Sequence, residues 1–178
     1  MVHSILNESM IKDMLLDLKA IKFGDFTLTS GKKSKYYVDI KIASTDPLFL
    51  GEAAEELSRR VSSGAMVAGV ELGAVPLVVA TAVKLSTPYL IIRKEERAHG
   101  NKDPIIGNLS AGKQVDVIED VVTTGNSVLR AIRLLRERGA SVDRVICVVD
   151  REEGGGELLE KNGIKLIPLV RISEVMPR

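Results

Sequence analysis

Five short apolar runs, at residues 65–70, 89–92, 115–118, 142–149 and 165–169, constrain this chain more than any other feature. A half-exposed strand alternates apolar with polar residues, whereas these runs are apolar at nearly every position. Such runs are strands buried on both faces, the environment of a parallel sheet covered by crossover helices. Helical stretches lie between them, at residues 75–85, 127–138 and 155–162, and Gly139 is expected to end the second as a left-handed cap. The expected fold is therefore α/β, with a central, mostly parallel sheet flanked by helices. Ligands of such sheets bind beyond the carboxyl ends of the strands. Upstream, Ile11, Leu15 and Leu18 recur at helical spacing and predict a helix over 8–21. Residues 26–40 read as two short strands about a turn at Ser30-Gly31. Asp46-Pro47 begins a helix that runs to about Val61, with Asp as N-cap and Pro at the first helical position.

Composition narrows the function classes. Aromatic residues are 3% of the chain and Trp is absent, so aliphatic side chains must build the core. The net charge of +1 gives no electrostatic case for nucleic-acid or bilayer binding. No run of about 18 apolar residues exists, and Met1-Val2-His3-Ser4 does not open a signal peptide. A cytoplasmic protein is expected, and the sequons at Asn7 and Asn108 are then chance matches. The lone Cys147 excludes an intrachain disulfide and, within Val145-Ile146-Cys147-Val148-Val149, reads as a buried structural thiol.

The segment from Val115 to Ser127 carries the strongest chemical signal. A strand ends in Glu119 and Asp120, continues through Val121 and Val122, and meets the turn Thr123-Thr124-Gly125-Asn126-Ser127, which opens a helix. Free N–H groups and the positive end of the helix attract a phosphate. Gly125 permits close backbone approach, and the hydroxyls of Thr123, Thr124 and Ser127 add donors. The two acids can accept hydrogen bonds from sugar hydroxyls. The bland alternative is a helix N-capped by Ser or Thr after an ordinary loop. A second glycine pattern, Gly107 to Gly112-Lys113, imitates a nucleotide-binding P-loop. It has Gln114 where a magnesium-binding hydroxyl is required, and it precedes a strand instead of following one. It reads as a hairpin-like turn.

The 119–127 segment closely resembles the signature that binds 5-phosphoribosyl 1-diphosphate (PRPP) in type I phosphoribosyltransferases. Three further segments resemble the orotate-specific members. These are Phe23 to Asp39, the cationic stretch Arg93-Lys94-Glu95-Glu96-Arg97-Ala98-His99-Gly100, and Asp150-Arg151-Glu152-Glu153-Gly154-Gly155. The resemblance spans roughly residues 20–155 and implies a single type I phosphoribosyltransferase domain. Residues 1–45 would form a small N-terminal hood and residues 46–178 the PRPP-binding core.

It also implies site roles. Arg93, Lys94, Arg97 and His99 would bind PRPP with the 119–127 run, and Lys94, Arg97 and His99 would be catalytic, with Lys94 or His99 as a proton donor. Thr123 and Arg151 would touch orotate, with Tyr36 and Tyr37 nearby. A guanidinium suits bidentate recognition of the orotate carboxylate. Adjacent tyrosines on a strand face opposite ways, so only one can line the site. The loop 93–104 would cross into a partner subunit, which implies a homodimer. Glu71-Leu72-Gly73-Ala74 corresponds to the turn beside the diphosphate, often with a strained peptide bond. Mg²⁺ is implied as cofactor, held mainly by PRPP, since the sequence presents no all-protein cage and His3 and His99 are far apart. Three positions depart from the family's usual pattern: Thr29 and Arg97 where Lys is common, and Glu119 where Asp is. A purine phosphoribosyltransferase would share the 119–127 loop without needing Arg151 or the 23–39 segment. A PRPP-sensing regulator that kept the fold and lost catalysis would often add a nucleic-acid-binding surface, whereas this sequence shows no basic patch and retains the cationic loop.

Overall fold

In the computed structural model the described residues are 2–27, 31, 33–94 and 103–177, with side chains described from Met10 onward. The chain runs α1 (Val2–Asp17), β1 (Ile21–Thr27), β2 (Lys33–Val38), α2 (Ile40–Ala43), α3 (Pro47–Ser58), β3 (Met66–Val70), α4 (Val75–Leu85), β4 (Tyr89–Ile92) and β5 (Ile105–Ile106). It continues through β6 (Val115–Val122), α5 (Asn126–Glu137), β7 (Arg144–Asp150), α6 (Gly155–Glu160) and β8 (Lys165–Arg171) to a closing 3₁₀ turn, Ile172–Glu174.

The expected sheet is present. Its order is β5-β4-β3-β6-β7-β8, parallel throughout except for β5, which pairs antiparallel with β4. Consecutive strand residues serve opposite cores, which is why the runs are continuous. Val67, Ile118 and Ile146 join α1, α3 and α4 around Phe49, Leu57 and Leu77. Their neighbours Ala68, Val117 and Cys147 join α5 and α6 around Ile132, Leu135 and Leu159. From β3 the chain first builds outward to β4, then returns to lay β6 on the other side of β3. This switch point leaves a crevice between the carboxyl ends of β3 and β6.

Most local expectations hold. Asp46 Oδ1 accepts the Leu48 and Phe49 N–H groups at 3.0 and 2.9 Å, with Pro47 opening α3. Gly139, at φ 85°, closes α5 as Ala140 N–H donates to the Leu135 carbonyl at 3.0 Å. Several boundaries differ; β1, for one, begins at Ile21 instead of Phe26, because Ile21 pairs with Val38. Helix α1 begins at Val2, because extending a helix already anchored by Ile11 and Leu15 needs no new nucleus. It stops at Asp17, where Lys19 turns left-handed at φ 54°. Strand β6 runs to Val122 instead of Ile118, because β7 continues the ladder through Val121↔Val149 and Val122↔Asp150. The acids Glu119 and Asp120 are thus held within the strand. Elements α2 and β5, with four and two residues, are too short for periodicity to reveal.

The hairpin β1–β2 forms its own two-stranded sheet, paired from Ile21↔Val38 to Thr27↔Lys33. Tyr36 packs against the core, while Tyr37 is exposed beside Phe26, ring centres 5.8 Å apart. The two tyrosines do face opposite ways.

Candidate functional site

A cavity of about 710 Å³ fills the crevice between β3 and β6. Its lining is the 119–128 run, the turn from Val70 to Gly73, and the cations Lys41 and Lys94. The whole of the 119–127 segment singled out in the sequence therefore faces one cavity.

Strand β6 carries acids at both ends with different fates. At the amino end Asp116 is fully buried and accepts the Ser62 N–H at 2.6 Å, a structural tie. At the carboxyl end Glu119 is 6% exposed, and burial, reinforced by neighbouring Asp120, holds its carboxyl well above the usual range. Burial also raises Asp120, although its Oδ1 accepts the Val121 N–H at 2.9 Å and Lys41 opposes the shift. Glu119, buried, and Asp120, half-buried, face the cavity as under-neutralised carboxylates poised to accept hydrogen bonds from ligand hydroxyls.

Beyond Val122 the chain turns through Gly125, at φ 77°, into α5. No side chain caps this helix. The bland reading required a Ser or Thr cap. Instead Asn126 Nδ2 donates to Thr124 Oγ1 at 3.1 Å, and the first N–H groups of α5 remain available to a ligand. Gly125 and Gly155 let the loop and the start of α6 touch backbone to backbone. A Cβ on Gly125 would lie 3.2 Å from Gly155 Cα, and one on Gly155 would lie 2.7 Å from the Thr123 carbonyl oxygen.

The facing wall is the turn from β3 into α4, whose Glu71–Leu72 peptide is cis. Helix α4 also begins without a side-chain cap. Glu71 Oε1 accepts the Lys94 N–H at 2.9 Å, which ties this turn to the end of β4. Gly73 is required sterically, since a Cβ there would overlap the Asp120 carboxylate.

The sequence-derived residues divide as follows. Lys94 lines the cavity. Arg93 lines a smaller adjoining recess and donates to the Asp103 carbonyl at 3.0 Å. Arg97, His99 and Thr29 lie outside the described residues. Arg151 follows β7 as expected, yet it does not line the main cavity and is not a solvated surface side chain. It is 12% exposed, pairs with Glu153 at 2.7 Å, and stacks over Tyr36 at 4.9 Å from the ring centre. Its Nε donates to Tyr36 Oη at 3.4 Å. A ligand carboxylate would have to displace Glu153 or share Arg151 with it. Sequence reasoning missed Lys41, whose Nζ lies 2.8 Å from Asp39 Oδ1. Nothing in the local pattern around a four-residue helix brings it to β6; the fold does. Cys147 is fully buried, as expected, and burial pushes its thiol up, away from reactivity.

No group of three His, Cys, Asp or Glu side chains converges among the described residues. The site thus combines backbone donors and hydroxyls of a kind that suits a phosphate, two acids of a kind that suits vicinal hydroxyls, and the cations Lys41 and Lys94.

Comparison with known proteins agrees with this chemistry. The model of the phosphoribosyl transferase domain family matches residues 50–172. An orotate phosphoribosyltransferase of Thermoplasma volcanium is 60% identical over 93% of this chain and 99% of its own. The structure of Leishmania donovani UMP synthase superposes with a TM-score of 0.82 at 30% identity, over 93% of this chain and 36% of that longer one. The Mycobacterium tuberculosis orotate phosphoribosyltransferase in complex with PRPP superposes with a TM-score of 0.76 at 26% identity, over 95% and 98% of the two chains.

Proposed function

The chain belongs to the orotate phosphoribosyltransferases, and from that premise we propose that it transfers the 5-phosphoribosyl group of PRPP to orotate, in de novo pyrimidine synthesis. The products are orotidine 5′-monophosphate and diphosphate. The observation that carries this reading is the uncapped start of α5 sharing one cavity with Glu119 and Asp120. The 5′-phosphate sits on the N–H groups and hydroxyls of residues 123–127, and the acids take the ribose 2′- and 3′-hydroxyls. The bond from C1 to the diphosphate oxygen breaks with its electron pair leaving on diphosphate. The lone pair on N1 of orotate then forms the new bond to C1. Orotate's ring nitrogen can ionise, so catalysis rests on positioning and charge stabilisation. Lys94 faces the leaving diphosphate; by family resemblance Arg97 and His99 join it, with Lys94 or His99 supplying a proton.

One buried and one half-buried carboxylate, without a third ligand among the described residues, suit a magnesium ion held mostly by substrate oxygens. Bound Mg²⁺ would neutralise diphosphate charge while Glu119 and Asp120 orient the ribose. The cytoplasm is the expected setting, since a lone buried thiol needs no oxidising compartment. Residues 1–45 serve as the hood, an assignment supported by the Tyr36–Arg151 contact.

Orotate recognition falls to Arg151 with Thr123. Arg151→Ala should raise the orotate KM about tenfold to a hundredfold, the worth of one charge-assisted hydrogen bond, with the PRPP KM little changed. The assay compares orotate with adenine, hypoxanthine and uracil, with and without Mg²⁺. Consumption of a purine alone would overturn the orotate reading, and an unchanged orotate KM would remove Arg151 from the site.

The homodimer is also proposed. An apolar groove of about 1030 Å³ runs between α3 and α4, and Leu72 and Val83 beside it are each 73% exposed. A contiguous apolar surface of this kind calls for a partner, and Leu72 lines both groove and cavity. By family resemblance, a partner copy would bring its 93–104 loop to the neighbouring site. Val83→Asp should yield a monomer in sedimentation and lose turnover. A fully active monomer would refute the shared site.

A further inference from the structure

We propose that Glu153 is an internal competitor of the orotate carboxylate: it pairs with the Arg151 guanidinium, yields it to the entering substrate, and takes it back as the product leaves. The proposal rests on the assignment of Arg151 to orotate. The loop that carries both residues lies against the turn at 123–127. Arg151 N–H donates to the Val122 carbonyl at 2.9 Å, where β6 enters that turn, and Gly155 packs on Gly125. Yet the Arg151 side chain meets Glu153 and does not line the main cavity. A guanidinium at the edge of the site is thus held back from it by an acid two residues along the chain.

Burial explains why the pair forms, and geometry explains why it can be exchanged. Arg151 is 12% exposed, and a guanidinium so deeply set needs a counter-charge. Glu153 supplies one at 2.7 Å, through Nη2. Nε donates to Tyr36 Oη at 3.4 Å, and Nη1 has no partner among the described residues. A substrate carboxylate can take two N–H groups of the fork at once, so the exchange replaces a single contact with a bidentate one. The Glu153 side chain is 34% exposed, so its carboxylate returns to water at little cost. The Tyr36 ring, 4.9 Å from the guanidinium, stacks on it whichever carboxylate is bound.

The two adjacent acids of this loop are held differently. Glu152, at φ 55°, turns the chain sharply, and its N–H donates to Asp150 Oδ1 at 2.8 Å. Its Oε2 accepts the Ser173 N–H at 2.8 Å, which anchors the loop to the closing 3₁₀ turn. Glu153 has only Arg151 and Tyr36 as side-chain partners among the described residues. Gly154 follows it at φ 92°, where a Cβ would meet nothing within 4 Å. Glu152 therefore fixes the loop, and Glu153 has room to swing. Orotidine 5′-monophosphate keeps the carboxylate of orotate, so the same competition favours its release.

The test compares Glu153→Gln with the parent enzyme, since Gln keeps the size of the side chain and removes its charge. The orotate KM should fall about threefold to tenfold, between the worth of an exposed and of a buried ion pair, with the PRPP KM within about twofold. In calorimetry orotidine 5′-monophosphate should bind tighter by the same factor. Uridine 5′-monophosphate, the same nucleotide without the carboxylate, should bind as before. A merely structural Glu153 would give the opposite sign, a raised orotate KM. The gain should also vanish when Glu153→Gln is combined with Arg151→Ala, because both residues act through one contact. An orotate KM that stays or rises, an equal gain for both nucleotides, or a gain that survives without Arg151 would each overturn the proposal and leave the functional reading intact. A parent enzyme that consumes no orotate would overturn both.

Discussion

Replacing Lys94 with Ala should lower kcat between about a hundredfold and a thousandfold while PRPP still binds. Removing one pre-organised charge-stabilising group from an active site has effects of this size. Lys94 is the one residue of the cationic 93–104 stretch that lines the main cavity among those described. As the bond to diphosphate breaks, negative charge accumulates on the leaving group, and an ammonium aimed there stabilises the transition state more than the ground state. The substitution is also clean structurally. Lys94 meets Glu71 through its backbone N–H, at 2.9 Å, and Ala retains that bond. The turn facing β6 should therefore survive. Single-turnover kinetics, with PRPP affinity measured in parallel, separates the two quantities. A kcat within about threefold of the parent would show that Lys94 does not meet the leaving group.

Gly73→Ala should damage PRPP binding by about tenfold to a hundredfold and cost about 1–3 kcal/mol of stability. Gly73 is not at positive φ, so Ala is allowed by the backbone and the effect is steric. The new methyl would overlap the Asp120 carboxylate. Either Asp120 leaves the position from which it is proposed to hold the ribose hydroxyls, or the start of α4 backs away from β6. The double variant Gly73→Ala/Asp120→Ala separates clash from chemistry. It should regain most of the stability and none of the PRPP affinity. Gly156→Ala on α6, where a Cβ meets only the Leu166 side chain at an ordinary 3.8 Å, is the control. Thermal unfolding and PRPP titration provide the measurements. Undiminished PRPP affinity in Gly73→Ala would mean that Asp120 does not hold the ribose.

Much of the site was legible along the chain because it is local. A phosphate loop is one strand end, one turn and one helix start, and its donors lie within a few residues of one another, from Thr123 to Ser127. The wall opposite was only half legible. Glu71 to Ala74 could be recognised as a strand-to-helix turn, but that Gly73 abuts Asp120, 47 positions on, follows from β3 lying beside β6. Lys41 was invisible for the same reason. It belongs to a four-residue helix outside the main sheet, and packing alone carries it to the cavity. Arg151 was placed correctly at a strand end, while its ion pair with Glu153 and its stacking on Tyr36 depend on where the hairpin docks.

The order of hydrophobic and polar residues by itself determined the layered α/β architecture, since runs apolar at nearly every position are best satisfied between two helical layers. It also determined the turn at residues 123–127 that we propose as the phosphate loop, because backbone donors and a permissive glycine act at short range. Tertiary structure decided how far β6 extends, which places its two acids inside a strand instead of a loop. It also decided which cations face the cavity and which helix ends stay uncapped. Those outcomes depend on contacts between segments far apart in the chain, and side-chain patterning within one segment carries no record of its neighbours.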